Sequence, residues 1–118
     1  MSAKVDRVVD RAFAALGDPT RRAVIERLRR GPQRAGRLAA ALDVSPPALS
    51  RHLRVLRGSD LVEALGDDGD ARARVYRLRR EPFVRLRDWA AAVESLWSEQ
   101  LESFAAHVAR TRGGKDRP

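Results

Sequence analysis

The chain contains no cysteine, which excludes disulfides, thiol catalysis, zinc ribbons and thiolate metal sensing together. Its two histidines, His52 and His107, leave almost nothing from which to build an imidazole metal site. Lysine is nearly missing as well: Lys4 and Lys115 are the only two among 24 basic residues, and the rest are arginine. No stretch free of formal charge exceeds about seven residues, far short of the roughly 20 needed to span a bilayer. The beginning of the chain also lacks the apolar run of a secretory signal, so a cytoplasmic protein without a membrane partner is expected. No glycine-rich phosphate cradle is present, and no carboxylates or histidines converge by spacing. Ser50 and His52 stand two apart on a helix, about 160° from each other, and cannot form a nucleophile–base pair. No enzyme, metal or cofactor is expected.

What is present is a short, very basic chain. At 118 residues there is room for one domain. The net charge of +8 and a pI near 11.4 point to a polyanion as partner. The charge is also blocked along the sequence. Residues 21–57 carry +8, residues 58–70 carry −5, residues 71–87 carry +6, and residues 88–109 carry −4 with no lysine or arginine. A merely solubilising surface would mix the signs. Two basic segments alternating with two acidic ones favour nucleic-acid binding.

The hydrophobic periodicity reads mainly as helix. Val5, Val8, Val9, Ala12, Phe13 and Leu16 form one face of a first helix. Gly17 suits a left-handed stop, Asp18 a cap and Pro19 the first position of a second helix, which runs to about Arg30. A short third helix, about Ala35–Leu42, turns Leu38, Ala41 and Leu42 inward. After Asp43-Val44, Ser45 caps a fourth helix with Pro46 at its first position, running to about Arg57.

On that fourth helix, with Pro47 taken as zero, Arg51 lies at about 40°, Arg54 at about −20°, Ser50 at about −60° and Arg57 at about −80°. Leu49, Leu53 and Leu56 fall on the opposite side. Two short helices with a tight connection, the second beginning in the small residues Pro47 and Ala48, make a helix-turn-helix whose second helix enters the major groove. A hairpin follows: Leu61–Leu65, a turn over Gly66–Asp70, and a return strand Ala71–Leu78 with Arg72 and Arg74 on one face. Such a hairpin is a wing. Its arginines are expected on DNA backbone or minor groove, and its aspartate-bearing tip away from phosphate. The aspartates lack the ligand number and distal glutamate of a calcium loop.

From Glu81-Pro82 to about Arg110, the residues Phe83, Leu86, Ala90, Val93, Trp97, Leu101, Phe104 and Val108 recur every three or four positions, widened by Trp89 and Leu96. A helix roughly 45 Å long carries more apolar length than a small core can cover, and an uncovered patch usually marks an interface. A symmetric homodimer is expected, with Val5, Val9, Phe13, Phe83, Leu86, Val93, Trp97, Leu101 and Phe104 at its interface. Residues 1–110 then form one DNA-binding and dimerisation domain, and 111–118 a disordered tail.

The segments Leu16-Gly17-Asp18-Pro19-Thr20-Arg21-Arg22, Val44 through Arg57 and Leu61-Val62-Glu63 resemble the ArsR family of bacterial winged-helix repressors, in order and over about residues 5–108. The resemblance implies a mainly helical fold with a small β-hairpin, α1-α2-α3-α4-hairpin-α5, homodimeric through its first and last helices. It implies binding to an inverted-repeat operator on double-stranded DNA, often autoregulatory, and leaves room for an unidentified small-molecule or protein effector. Metal sensing is not implied, because the family's cysteine sites are missing. Its last-helix Asp-x-His pair is missing too: Asp88 is followed by Trp89 and Ala90, and His107 stands alone. The chain is similar to the non-metal branch with a tryptophan-rich last helix.

Three positions depart from the family pattern. Pro46 stands where many relatives carry Gln, Arg34 where Ser or Thr usually caps the third helix, and Asp60 where Gly is favoured, although Asp tolerates the left-handed region. Within this frame Ser50 and Arg51 are expected to read bases, with Pro47 and Ala48 at the entering end of the helix and Arg54 on base or phosphate. Arg21, Arg22 and Ser45 are expected on phosphates, and Arg72 and Arg74 on the wing contact. His52 is expected to be packed and hydrogen-bonded. The alternative is a winged-helix protein–protein interaction module without operator specificity.

Overall fold

The computed structural model describes residues 6–66 and 70–116, with side-chain environments to residue 111. Its elements run α1 (Arg7–Leu16), α2 (Pro19–Leu28), β1 (Gln33–Arg34), α3 (Ala35–Leu42), α4 (Pro46–Gly58), β2 (Val62–Leu65), β3 (Val75–Leu78) and α5 (Arg80–Asp116). This is the expected mainly helical winged helix-turn-helix order. The chain divides into two compact units, residues 1–86 and 87–118, with the boundary inside α5.

Caps at the starts of three helices follow their side chains. Asp6 accepts from the Val9 N–H, Asp18 from the N–H groups of Thr20 and Arg21, and Ser45 from that of Ala48. Each carboxylate or hydroxyl satisfies donors that a helix start would leave unpaired. Pro19 and Pro46 open their helices, where a missing N–H costs nothing. Gly17 departs from expectation: its φ is −69°, right-handed, and the turn into α2 is made by the extended Asp18. The left-handed positions among non-glycine residues described are Asp43 (φ 53°), closing α3, and Asp60 (φ 60°), following α4. Both have the short polar side chain that tolerates this region.

The sheet holds one strand more than the hairpin. β3 lies between β1 and β2, both antiparallel to it, with Gln33 opposite Tyr76, Val62 opposite Leu78 and Leu65 opposite Val75. Two residues are too few to show an alternation, so β1 leaves no periodic signal. The return strand is also half the expected length. Ala71–Arg74 form turns instead, with the Ala73 N–H bonded to the Asp70 carbonyl and the Arg72 N–H to the Asp70 carboxylate. Asp70 here outcompetes the ladder for the backbone, as Asp does in Asx turns. Asp67 and Asp68, where the tip was expected to bend from DNA, lie outside the described residues.

The core of the first unit gathers Ala12, Ala15, Val24, Leu28, Leu38, Ala39, Leu49, Leu53, Leu56, Leu61, Val62 and Tyr76, with Phe83 and Leu86 packed partly buried against it. On α3 the buried alanine is Ala39, and the expected Ala41 is exposed. Ala35 and Ala39 lie on one side of the Leu38–Leu42 line and Ala41 on the other, so only one alanine flank can face inward. On α1 the buried residues are Val9, Ala12 and Ala15, while Phe13 is 45% exposed; Val5 lies outside the described residues. α5 continues to Asp116, past the expected end near Arg110, into residues expected to fray.

Leu56 is completely buried at the base of α4. Leu56→Ala is expected to cost about 2–5 kcal/mol, the range for truncating an enclosed leucine. Urea unfolding should show the lower midpoint with an unchanged m-value.

Candidate nucleic-acid interface

α4 is two-faced, and burial decides which face is which. Leu49, Leu53 and Leu56 are each at most 2% exposed, while Pro47, Ser50, Arg51, Arg54 and Arg57 are exposed. The leucine seam leaves the polar strip no option but to face outward. Ala48 is half-buried, and its N–H, accepted by Ser45, fixes the start of the helix.

Pairing separates the arginines into two groups that sequence cannot tell apart. In the hairpin region Arg77 is bonded to Glu63 at 2.8 Å and Arg79 to Asp60 at 3.1 Å. Among the described residues, Arg51, Arg54, Arg57, Arg72 and Arg74 have no carboxylate within ion-pair distance. These five guanidiniums, from α4 and from the turn before β3, remain available to an external anion.

Arg21 and Arg22, expected on phosphates, are partly committed elsewhere. Arg21 is half-buried, and its Nε donates to the Ala15 carbonyl at 2.6 Å. Its second nitrogen stands 3.4 Å from Nδ1 of His52. A guanidinium only donates, so Nδ1 is the acceptor there and His52 is held as a packed, hydrogen-bonded ring. Arg22 donates to the Leu16 carbonyl at 2.6 Å and stays exposed, with donors to spare. Both arginines therefore tie the end of α1, where carbonyls lack helical partners, to the start of α2.

The wing is fastened to α3 through backbone. Arg34 sits at the N-cap of α3 and gives no side-chain cap. Instead the Ala35 N–H donates to the Arg74 carbonyl at 3.0 Å and the Gly36 N–H to the Arg72 carbonyl at 3.1 Å. A Cβ on Gly36 would lie 3.4 Å from that Arg72 oxygen, an ordinary contact, so the attachment rests on the hydrogen bonds themselves. The carbonyls of Arg72 and Arg74 hold the wing, while their side chains have no ion pair among the described residues. Sequence reasoning saw these two as alternating strand residues and missed the capping role; the absent Ser or Thr at position 34 was its one signal.

Along α5, Trp89, Val93, Leu96, Trp97, Leu101 and Phe104 are between 48% and 67% exposed. Of the residues expected at a dimer interface, Val9 is buried, and Phe83 and Leu86 serve the core of the first unit. Among the described residues no helix is long and apolar enough to cross a membrane, and no group of three or more potential ligands could hold a metal ion.

Residues 16–63 match the helix-turn-helix domain family. The chain is 41% identical over 99 residues to the HTH-type transcriptional regulator Rv2034 of Mycobacterium tuberculosis, covering 84% of this chain and 87% of that one. It is 33% identical over 54 residues to the transcriptional repressor SdpR of Bacillus subtilis, covering 46% of this chain and 60% of SdpR. Among solved structures, the ArsR family transcriptional regulator RHA00566 superposes with a TM-score of 0.69 at 34% identity, over 78% of this chain and 98% of that chain.

The α1–α2 corner that backs α4 rests on Asp18. The Arg21 N–H, chiefly, and the Thr20 N–H hold its carboxyl below the ordinary value of 3.8, against an opposing effect of desolvation and with help from the Arg21 charge. A carboxylate whose folded pKa is depressed stabilises the fold above the ordinary value, and that contribution is lost as pH falls through the lower folded value. Asp18→Asn keeps an effective cap and removes the titration. It should lower the melting temperature at pH 7 modestly, by the carboxylate's contribution, and flatten the decline below pH 4, measured by melting temperature against pH.

Proposed function

The chain belongs to the ArsR family of winged helix-turn-helix transcriptional regulators, and from that membership we propose that it represses transcription by binding an inverted-repeat operator as a homodimer. That it is a DNA-binding regulator follows from the family; the operator geometry, the dimer and the residue roles are our reading. The observation that carries the reading is the outward strip of α4, with Arg51 and Arg54 exposed over a buried leucine seam and without an ion pair among the described residues.

Arg51 sits nearer the N-terminus of α4, the end that enters deepest, and reads bases together with Ser50. Arginine contacts guanine through two parallel hydrogen bonds, worth about 1–3 kcal/mol of discrimination. Arg54 reaches base or phosphate, and Pro47 and Ala48 leave room for close approach. Ser45 and Arg22 meet phosphates, and Arg21 holds the corner that presents them. Arg72 and Arg74 extend the contact from the wing to the backbone or minor groove.

Self-association occurs through the exposed α5 stripe of Val93, Trp97, Leu101 and Phe104, with Phe13 of α1 as a second patch. An apolar surface of this extent is normally covered, and a twofold axis matches two half-sites centred about 10–10.5 bp apart, or a multiple of that.

Two experiments test the reading. Arg51→Ala should weaken specific binding by about 1–3 kcal/mol and relax the preference at one symmetric position in each half-site. Arg74→Ala should weaken all sequences alike and lower the salt slope by about one unit per half-site. Binding selections on randomised duplexes measure both, and unchanged specificity in Arg51→Ala overturns the assignment. Absence of any salt-sensitive duplex binding by the native protein would favour a protein-binding module instead. Second, light scattering at micromolar concentration should give twice 13.2 kDa, and Trp97→Glu should give monomer or insoluble protein. A well-behaved native monomer across that range overturns the dimer.

A further inference from the structure

Between the second half of α4 and β3 lies an open groove of about 400 Å³ lined by Ser50, Arg54, Arg57, Gly58, Arg74 and Tyr76. We propose that this groove seats a sugar–phosphate segment of the DNA strand bordering the major groove, and that Arg57 is a phosphate contact within it. The inference rests on the DNA-binding reading above and extends it to a place and a residue that reading does not include.

Three guanidiniums line the groove, two from α4 and one from the turn before β3, and none has a carboxylate within ion-pair distance among the described residues. Like charges held around one space repel, and an oxyanion entering it turns that repulsion into charge-assisted hydrogen bonds. The volume is several times that of a lone phosphate group, and the lining is mainly polar, so the groove suits a backbone passing through better than an enclosed ion. Its base is fixed: Tyr76 is only 6% exposed and pairs in register with both Gln33 and Ala64.

Gly58 supplies the second part of the argument. By helical angle it continues the line of Arg51 and Arg54 at about 20°. A Cβ built on it would meet nothing within 4 Å. The outward face of α4 thus ends in arginines beside an unobstructed backbone, where a bulky strand can approach closely. Any side chain placed at 58 enters open space, so the position can be blocked without disturbing the fold.

The test compares the native protein with Arg57→Gln, Gly58→Glu and Arg77→Gln on one operator duplex and one unrelated duplex, across a salt titration. Arg57→Gln should bind both duplexes roughly tenfold more weakly per half-site. Its salt slope should fall by about one unit per half-site, with base preference unchanged. Gly58→Glu should weaken both duplexes at least as much while melting within a few degrees of the native protein. Arg77→Gln removes the same charge from a residue already paired to Glu63, and its slope should stay native. Native affinity and slope in both Arg57→Gln and Gly58→Glu, with operator binding intact in the native protein, overturn the inference and leave the broader reading standing. An equal loss in Arg77→Gln overturns it too, because net charge would then suffice. No binding to either duplex by the native protein would instead sink the DNA-binding reading itself.

Discussion

Burial of Leu49, Leu53 and Leu56 is the constraint from which the interface follows. These leucines join α4 to a core drawn from α1, α2, α3 and both strands of the hairpin. Each fully buried leucine contributes on the order of 1.5–3 kcal/mol, so turning α4 about its axis would forfeit most of the seam. The outward direction of Ser50, Arg51 and Arg54 is therefore set by apolar packing on the far side of the helix. The arginines contribute nothing to their own placement; they sit where leucine leaves them.

The wing is positioned by a different device. With arginine at the N-cap of α3, two orphan N–H groups would lack partners, and the carbonyls of Arg72 and Arg74 accept them. One pair of hydrogen bonds thereby satisfies a helix start and fastens the segment that carries Arg72 and Arg74. β1 continues the same attachment, since Gln33 and Arg34 pair with β3 directly before α3 begins. Helix-turn-helix and wing are consequently not separate modules joined by a loop. Their relative placement is fixed by main-chain groups.

Charge is distributed with the same economy. Glu63 and Asp60, from the acidic stretch of the sequence, neutralise Arg77 and Arg79 of the following basic stretch. These exposed pairs add little stability, but they narrow the cationic surface. Among the described residues, Arg51, Arg54 and Arg57 of α4 and Arg72 and Arg74 of the turn before β3 have no such pair. The acidic block after α4 thus cancels charge on β3 and on the residue that follows it, while α4 and the turn before β3 keep theirs for a polyanion.

The sequence by itself determined the order of the five helices and the hairpin, the caps Asp18 and Ser45, the two faces of α4 and the apolar stripe of α5. Each is a local pattern: a cap and its N–H lie within three residues, and helical period sorts neighbours by face. The resemblance of Val44–Arg57 to ArsR regulators added the functional class. Only the tertiary structure decided which arginines are free, because Arg77–Glu63 and Arg79–Asp60 join residues 14 and 19 positions apart. It alone decided that Arg21 braces the α1–α2 corner and His52, that Ala71–Arg74 leave the strand to cap α3, and that two residues at 33–34 form an edge strand. It also decided that Phe83 and Leu86 belong to the core while Trp97 and Phe104 stay exposed, though all four share one periodic stripe. Periodicity records which side of a helix is apolar. What covers that side depends on groups distant in the chain, and only folding brings them there.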